Sequence, residues 1–389
     1  MNILCLFQRF SFQSSTIYLD LVKELVRKGH HVYVLAGTTD AVSEKIIYEE
    51  EGCKVAYVRL PDQFHAGKIK KGLVQLFLEP KMISVMKRHF FCESIDLILY
   101  PTPPITLAGV VACAKKHFHA KSYLMLKDIF PQNAVDLGMM RENGLLHVYF
   151  KYVEKRLYRI SDVIGCMSDA NISYMKQHFG SLVGGKLELF PNTVKILPTA
   201  QRKPTEDKVV HFVFGGNLGK PQAVDFLLTG ILACRENSQA FFSIIGDGTE
   251  SRKVEQFFKE HHLSNASYQK QLPREQYEEW LTTQDVGLVM LSPKFTIPNF
   301  PSRVLSYMQM EMPVLAVTDR NSDIGQMITK DAKCGFYAPS DDLNQFVSSI
   351  HNICEQKNEL REMGQRGKNY LLEHYNVERS VDILLRHFQ

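Results

Sequence analysis

The sequence predicts an α/β protein made of two doubly wound, Rossmann-like domains in series. Apolar runs of strand length alternate with helical patterns in both halves of the chain, which is typical of parallel sheets covered by helices on both faces. Two prolines and mixed charge at 195–208 predict a linker between the halves. At 389 residues the chain is too long for one compact core. We therefore expect domains at 1–197 and 198–375.

Each predicted strand is a short apolar run that is separated from the next by a helical pattern. In the first half these runs lie at 2–7, 31–36, 53–60, 96–100, 122–126, 162–167 and 186–190. In the second half they lie at 209–214, 240–245, 266–271, 286–291 and 314–317. The helices between them act as crossover connections, so the strands are expected to be parallel. The chain from about 341 onward is predicted to be helical.

Composition excludes several classes of protein. A net charge of +4 is too small to indicate a nucleic-acid-binding protein. The eight cysteines include no CxxC pair, so they predict buried thiols in a reducing cytosol rather than disulfides or a metal site. No apolar run approaches the ~20 residues of a membrane span. We therefore expect a cytoplasmic protein that is at most peripherally attached to a membrane.

One segment could make such an attachment. Residues 68–91 carry six basic side chains and one acidic side chain, with large apolar residues between them. A basic, apolar stretch of this kind can rest on an anionic membrane surface. A helix packed on the sheet with a basic solvent face explains the same pattern.

Two βα units in the second half, at 209–227 and 239–257, indicate a bound anion. In each unit an apolar run leads into a Gly-rich turn and then into a helical pattern. Such a turn directs backbone N–H groups and the positive end of the helix toward an anion. The alternative is an ordinary Gly-rich turn that binds nothing.

Asp128 follows the predicted strand 122–126 and lies at the carboxyl end of the first sheet. In doubly wound sheets ligands bind at that edge. Asp128 is therefore a candidate for the chemistry of the first domain. The alternative is that Asp128 only caps the turn that follows it.

Seven segments, in order along the chain, carry a resemblance to a known family. They are TPP at 102–104, LKDIFPQNAVDLGMM at 126–140, FPNTV at 190–194, FGGNLGKPQAVDFLL at 214–228, IIGDGTE at 244–250, PSRVLSYMQMEMPVLAV at 301–317, and the helical C-terminus from 364. Together they resemble the GT-B glycosyltransferases, in particular the retaining family 4 and its members that act on bacterial polysaccharides and lipid-linked oligosaccharides. The resemblance implies two domains facing a central cleft, with a last helix at about 376–389 that packs back on the first domain.

The resemblance implies a transferase of polysaccharide, capsule or cell-envelope biosynthesis. A hexosyl or N-acetylhexosaminyl unit would pass from a nucleotide-diphosphate sugar, a UDP-sugar, to a saccharide acceptor on a carrier lipid or a growing polysaccharide. Retention at the anomeric carbon is part of the same implication. No spaced Cys/His cluster and no DxD-type acidic pair is evident in the sequence, which favours transfer without a metal or other cofactor.

Departure of a diphosphate requires stabilisation of negative charge, which sets the candidate site residues. The catalytic candidates are Lys220 and Arg303 at the diphosphate and Asp128 at the acceptor or at the oxocarbenium-like charge. The donor-binding candidates are Gly215, Gly216, Asn217, Gly219, Gly246, Ser302, Tyr268 and Gln271. The acceptor-side candidates are Gln13, Ser14, Ser15 and Gln132. Surface cations and turn-forming residues are the alternative explanation for the donor-binding set.

The chain also departs from the family pattern. Ser14 and Ser15 stand where many members have a Gly-Gly turn. The paired glutamates of the family fall near Pro298 and Ser306, neither of which is acidic, and Glu311 occupies a position that is usually glycine. Two other functions therefore stay open, namely a sugar-nucleotide epimerase of the same architecture and a non-catalytic partner subunit of another glycosyltransferase.

Overall fold

The computed structural model describes residues 1–12, 16–38, 47–50, 52–59, 68–198, 202 and 208–388. The chain forms two compact units. Unit 1 consists of Met1–Lys195 with Val377–Gln389, and unit 2 of Ile196–Asn376. These boundaries lie within two residues of the predicted positions in the linker and near the C-terminus.

Unit 1 is built on one sheet with the order β3-β4-β2-β1-β5-β6-β7-β8. All neighbouring strands are parallel except β3, which pairs with β4 in the antiparallel sense and was not predicted. The strands are β1 (Asn2–Phe7), β2 (His31–Thr38), β3 (Ile47–Glu50), β4 (Cys53–Arg59), β5 (Leu97–Thr102), β6 (Lys121–Leu126), β7 (Val163–Cys166) and β8 (Leu187–Leu189). The helices are α1 (Ile17–Arg27), α2 (Lys68–His89), α3 (Ala108–Phe118), α4 (Gln132–Asp136), α5 (Leu145–Ile160), α6 (Asp169–Val183) and the C-terminal α14 (Val377–Leu385).

Unit 2 is built on a fully parallel sheet with the order β11-β10-β9-β12-β13-β14. Its strands are β9 (Val210–Gly215), β10 (Ala240–Ile245), β11 (Ala266–Gln269), β12 (Val286–Met290), β13 (Val314–Thr318) and β14 (Gly335–Pro339). Its helices are α7 (Val224–Ala233), α8 (Ser251–His261), α9 (Arg274–Leu281), α10 (Arg303–Gln309), α11 (Ile324–Gln326), α12 (Leu343–Glu355) and α13 (Leu360–His374). The doubly wound α/β prediction is confirmed.

The strands are apolar because helices cover both faces of each sheet. The side chains of β1 from Ile3 to Phe7 are fully buried, and so are Phe212, Val213 and Phe214 of β9. None of the helices in the described ranges combines the length and hydrophobicity needed to cross a bilayer. All eight cysteines are free thiols, and six of them are buried.

The C-terminal helix α14 joins the chain end to unit 1. Val377 N–H donates to Val194 O (3.1 Å) at the start of this helix. The hydroxyls of Thr193 and Ser380 lie 2.7 Å apart in a buried hydrogen bond. This hydrogen bond satisfies both buried hydroxyls. Together with the packing of α14 on α1, it holds the C-terminal helix at the end of the first sheet.

Helix α10 ends in a motif that explains the unusual glutamate in PSRVLSYMQMEMPV. Met312 N–H donates to Tyr307 O (3.0 Å) and Glu311 N–H donates to Met308 O (3.1 Å). This pair of hydrogen bonds defines a Schellman motif, whose residue after the cap is left-handed and usually glycine. Glu311 occupies that position with φ 53°.

Replacing Glu311 by glycine is expected to stabilise the protein. A side chain costs about 1 kcal/mol in a left-handed conformation, and glycine removes that cost. Chemical denaturation should therefore give Glu311→Gly a free energy of unfolding about 1 kcal/mol above that of the parent protein. The matched control is Glu362→Gly on the exposed face of α13, where the same replacement should cost about 1 kcal/mol. Equal losses in both variants would contradict this explanation.

Candidate active site

The donor-side candidates of unit 2 lie on two loops, which follow β9 and β10 and contact each other through their backbones. Gly216 N–H donates to Ile245 O (2.8 Å), and Leu218 N–H donates to Asp247 O (2.9 Å). A Cβ on Gly246 would lie 1.8 Å from Gly216 O. A glycine is therefore required at position 246 for the two loops to approach this closely. The contact between the loops explains why this residue is glycine without any role in ligand binding.

The glycine amides of the first loop are already hydrogen-bonded within the protein. Gly215 N–H donates to the Tyr307 hydroxyl (3.2 Å), and Gly219 N–H donates to Gln222 Oε1 (3.2 Å). Together with the Gly216 bond, this differs from the expectation that these amides point toward an anion. The charged side chains nearby are therefore the better candidates for anion binding.

Lys220 does not begin a long helix. The segment Lys220–Gln222 is one 3₁₀ turn, and α7 begins at Val224 after Ala223, whose φ is 46°. Lys220 therefore lies one turn before the first residue of α7. The Lys220 side chain is exposed at the end of the first loop, so it can reach a ligand bound there.

Arg303, the first residue of α10, is held against the same loop. Its guanidinium carbon lies 4.2 Å from the centroid of the buried Phe214 ring, in a cation–π contact. Its Nη2 lies 3.0 Å from the position a Cβ would take on Gly216, whose φ is +118°. Burial lowers the pKa of Arg303, but a guanidinium stays charged at neutral pH. Among the described residues, no carboxylate lies within 4 Å of it.

Two tyrosines that sequence reasoning missed form the support of Arg303. Tyr307 lies one turn further along α10, and its hydroxyl donates to Val213 O (3.2 Å) while it accepts from Gly215. The Tyr277 hydroxyl fills the space where a Cβ on Gly215 would lie, at 1.8 Å. Burial raises the pKa of both phenols, so both are neutral at pH 7. The i, i+4 spacing of Arg303 and Tyr307 was the available signal.

The remaining donor-side candidates are divided between exposed and structural positions. Ser302 and Gln271 are exposed, and Ser302 caps no amide of α10. Asn217 is exposed and donates from Nδ2 to Gln222 Oε1 (3.2 Å). Tyr268 donates to Gly246 O (3.3 Å), so it supports the second loop.

In unit 1, Asp128 lies just beyond the carboxyl end of β6. Asn133 Nδ2 donates to its Oδ2 (2.7 Å), whereas its Oδ1 is buried and has no partner among the described residues. Burial raises the pKa of Asp128 to about 6, although hydrogen bonds from the Ile129 backbone and from Asn133 oppose the rise. Asp128 is thus a desolvated carboxyl group with one oxygen unused, which is the environment of a group that handles a proton or a positive charge.

Thr102, of the TPP segment, holds the backbone on which Asp128 is placed. Its hydroxyl accepts from the N–H of Lys127 (3.1 Å) and of Asp128 (3.3 Å), and it donates to Asp128 O (2.9 Å). Thr102 is fully buried at the end of β5, the strand next to β6. One hydroxyl therefore joins the ends of two neighbouring strands at the candidate site.

Lys127 points away from Asp128. Its Nζ lies 3.4 Å from the carbonyl oxygens of Phe190 and Pro191 and 4.9 Å from the Phe190 ring centroid. Burial lowers its pKa to about 7. The ammonium therefore contributes to the support of the sheet edge.

Gln132 donates from Nε2 to Asp136 Oδ1 (2.8 Å) within α4, on the same loop as Asp128. The other acceptor-side candidates, Gln13, Ser14 and Ser15, lie outside the described residues. The roles assigned to all of these residues stay predictions.

Comparison with known proteins identifies the family. Residues 14–196 match the family model of Glycosyltransferase Family 4, and residues 209–356 match that of Glycosyl transferases group 1. The chain is also 25% identical over 326 residues to a probable glycosyltransferase, WbjE, of Pseudomonas aeruginosa, with 81% of this chain and 79% of that protein covered. The chain is a family-4-like GT-B glycosyltransferase.

Solved structures resemble this glycosyltransferase in fold. Sucrose-phosphate synthase from Thermosynechococcus elongatus matches it with a TM-score of 0.76 and 16% identity, over 100% of this chain and 99% of the other. HepE of Anabaena, solved in complex with UDP, matches it with a TM-score of 0.66 and 14% identity, over 100% of both chains. The GT-B fold implied by the resemblance is confirmed.

Removing the Thr102 hydroxyl is expected to destabilise the glycosyltransferase. Thr102→Val keeps the shape of the side chain but removes the oxygen that accepts from the N–H groups of Lys127 and Asp128. Losing this acceptor should lower the free energy of unfolding by about 1–3 kcal/mol. Thr106→Val is the matched control, because the Thr106 hydroxyl is also buried but has no partner in the described part of the chain. The control should be neutral or slightly stabilising in chemical denaturation. Equal effects of the two substitutions would contradict the role given to Thr102.

The raised pKa of Asp128 predicts a pH-dependent effect of Asp128→Asn. A carboxyl group with a folded pKa near 6 and an unfolded pKa near 3.9 favours folding below pH 3.9 and loses that contribution as pH rises through 6. The variant lacks this loss, so its stability relative to the parent protein should rise by about 1–3 kcal/mol between pH 4 and pH 7.5. Denaturation curves at several pH values measure the change.

Asp162→Asn is the control for this measurement. Burial raises the pKa of Asp162, but hydrogen bonds from Lys115 (2.7 Å) and Ser122 (2.9 Å) outweigh it, so the pKa is lowered. The contribution of Asp162 changes only below about pH 4, so the control variant should show a nearly constant stability difference from the parent protein between pH 4 and pH 7.5. A pH-independent difference for Asp128→Asn would show that its carboxyl group is not desolvated.

Proposed function

We propose that this glycosyltransferase transfers a hexosyl or N-acetylhexosaminyl unit from a UDP-sugar to a saccharide acceptor. The acceptor is lipid-linked or part of a growing polysaccharide, and the protein acts in the cytoplasm at the inner face of the membrane. The reaction retains the anomeric configuration and needs no metal ion. The observation that carries the proposal is the Arg303 cation, which is held against the Gly-rich loop after β9 and has no carboxylate within 4 Å among the described residues.

The leaving group explains why that cation is needed. Breaking the bond between the sugar and the diphosphate leaves negative charge on phosphate oxygens, and a preorganised cation stabilises it without reorganisation. Arg303 suits this role because its guanidinium can donate two parallel hydrogen bonds to a phosphate. The cation–π contact with Phe214 already holds it beside Gly216, where its Nη2 lies 3.0 Å from the position that a Cβ on Gly216 would take. The exposed Lys220 supplies a second positive charge at the end of the loop.

The choice of a uridine nucleotide is supported by HepE, which has the same fold and was solved in complex with UDP. In our proposal the base and ribose lie along the loops that carry Gly246, Tyr268 and Gln271. No carboxylate stands at Pro298 or Ser306, so the ribose contact comes from another group. Glu311 does not replace it, because that residue closes the end of α10 in a left-handed conformation.

On the acceptor side we assign the main role to Asp128. Its unpaired Oδ1 can accept a hydrogen bond from the attacking sugar hydroxyl or oppose the positive charge on the anomeric carbon. With a pKa of about 6 the carboxyl group is mostly ionised at pH 7.5 and still basic enough to take a proton. Gln132 lies on the same loop and is a candidate partner for other acceptor hydroxyls.

UDP binding tests the proposal. Isothermal titration of the full chain with UDP, in the presence of EDTA, should give a measurable Kd because no metal is needed. Arg303→Ala removes a charge-assisted contact and should weaken binding by about tenfold to a hundredfold. Arg303→Lys keeps the charge but loses the paired geometry, so an intermediate loss of about tenfold is expected.

The matched control for this titration is Arg361→Ala, which removes an exposed arginine from α13 of the same unit. It should leave the Kd unchanged. No UDP binding in EDTA that is recovered with Mg²⁺ or Mn²⁺ would contradict metal independence. An unchanged Kd for both Arg303 variants would contradict the proposed diphosphate site.

A further inference from the structure

Helix α5 of unit 1 presents an apolar face to solvent. Leu145 is 93% exposed, Val148 59%, Tyr149 42% and Tyr152 65%. Their spacing of three and four residues places them on one side of the helix. The opposite side is buried against unit 1 through His147, Val153, Glu154, Leu157 and Tyr158. The exposed apolar face is therefore not the side that holds α5 in the fold.

The apolar surface extends beyond the helix. Met139, in the loop before α5, is 65% exposed, and Leu146 in the first turn of the helix is 66% exposed. In the described part of the chain nine large apolar side chains are strongly exposed, and six of these nine lie between 139 and 152. Scattered exposed apolar residues are ordinary, but such a concentration marks an interaction surface.

Basic side chains continue the same face. Lys155 and Arg159 lie three and seven residues after Tyr152, on the same side of α5, and both are exposed. Arg156 is half-buried on that side, and Arg141 is exposed in the loop before the helix. Acidic charge is scarce here. Glu142 is exposed in the preceding loop, whereas Glu154 is buried and paired with Lys151 at 2.7 Å.

We propose that this face docks on an anionic lipid bilayer. The α5 surface, as we define it, consists of Met139, Arg141, Leu145, Leu146, Val148, Tyr149, Tyr152, Lys155, Arg156 and Arg159. Its apolar residues enter the boundary between head groups and acyl chains, where tyrosine is also favoured. Its basic residues lie at the lipid phosphates, where each adds attraction to an anionic membrane.

Charge distinguishes this occupant from a second copy of the chain. Two α5 surfaces facing each other would place their basic residues close together, with only Glu142 on each side to oppose them. Like charges across an interface suppress association. An anionic bilayer complements the apolar and the basic parts of the surface at once.

The segment 68–91 provides no comparable surface in its described half. Leu78, Met82, Met86 and Phe90 are at most 2% exposed there, Val85 is 6% exposed, and Ile83 and Phe91 are only partly exposed. The side chains at 68–77 lie outside the described residues. The membrane contact expected for that basic segment is therefore assigned to α5 instead.

Docking through α5 also places the candidate acceptor site near the lipid. Phe150, on α5, packs edge-on against Phe130 with ring centroids 5.0 Å apart, and Phe130 lies two residues after Asp128. A saccharide on a lipid carrier would thus be presented next to the Asp128 loop. This last step rests on the proposed function, whereas docking itself does not.

Vesicle co-sedimentation of the full chain, without any substrate, tests the docking. The wild-type protein should bind vesicles of phosphatidylcholine with phosphatidylglycerol, and bind pure phosphatidylcholine vesicles at least tenfold more weakly, because each basic residue near an anionic surface adds to the affinity. The combined variant Leu145→Gln, Val148→Gln and Tyr152→Gln should reduce binding to the anionic vesicles by about tenfold or more. Lys155→Glu with Arg159→Glu should remove the preference for anionic lipid.

Two control variants match these changes in unit 2. Leu372→Gln replaces an apolar residue that is 43% exposed, and Arg252→Glu with Lys259→Glu reverses two exposed charges on α8. Both should bind vesicles as the wild type does. Circular dichroism and thermal melting establish that the α5 variants are folded. Their UDP affinity should equal that of the wild type, so a failure of docking is distinguishable from a failure of the proposed function.

Three outcomes would overturn the proposal. The first is no binding of the wild type to anionic vesicles. The second is unchanged binding of folded α5 variants. The third is a wild-type dimer, seen by light scattering after size-exclusion chromatography, that dissociates in the glutamine variant, because a second copy of the chain would then be the occupant of the surface.

Discussion

The close backbone contact between the loops after β9 and β10 is the constraint on which the donor-side geometry depends. The contact is possible because Gly246 has no side chain where Gly216 O passes. It uses the amides of Gly216 and Leu218, so the loop is rigid but offers few free donors to a ligand. A site for a diphosphate on such a loop needs side-chain cations. Arg303 meets that need because α10 begins beside Gly216.

The position of Arg303 in turn depends on aromatic packing. Phe214, the second-last residue of β9, packs its ring against the guanidinium, and the hydroxyl of Tyr307 joins α10 to the backbone of the same strand through Gly215 and Val213. A half-buried arginine loses hydration, and the cation–π contact offsets part of that loss. The aromatic packing around Arg303 therefore offsets part of the free energy that is lost when a cation without a carboxylate neighbour in the described residues is desolvated. A carboxylate would neutralise the charge that the leaving group requires, so its absence among the described neighbours fits the function.

The sequence patterns were sufficient to predict the fold and the strands and helices that carry the candidate site residues. Apolar runs at strand spacing located all the central strands, because both faces of these strands are buried. The antiparallel β3 and the parallel β14 were missed, since these short edge strands have no comparable apolar run. The resemblance directed attention to Arg303 and Asp128. It could not show that the glycine amides are already used, or that Tyr277 and Thr102 hold the site, because these contacts join residues far apart in the sequence.

Arg303 and Asp128 also differ in how burial affects their charge. Arg303 keeps its charge at neutral pH because a guanidinium is intrinsically very basic, whereas burial raises the pKa of Asp128 in spite of its hydrogen bonds from Asn133 and the Ile129 backbone. A second hydrogen-bond donor to Asp128, in addition to Asn133, would stabilise the carboxylate and lower the pKa of Asp128. Oδ1 has no partner among the described residues, and in the function we propose it is the acceptor for a substrate hydroxyl. Buried polar groups without partners are few in folded proteins, and each calls for an explanation. For Asp128 we propose that the explanation is a substrate hydroxyl that completes the carboxyl group, because this oxygen lies at the carboxyl end of the sheet, where ligands bind in doubly wound folds.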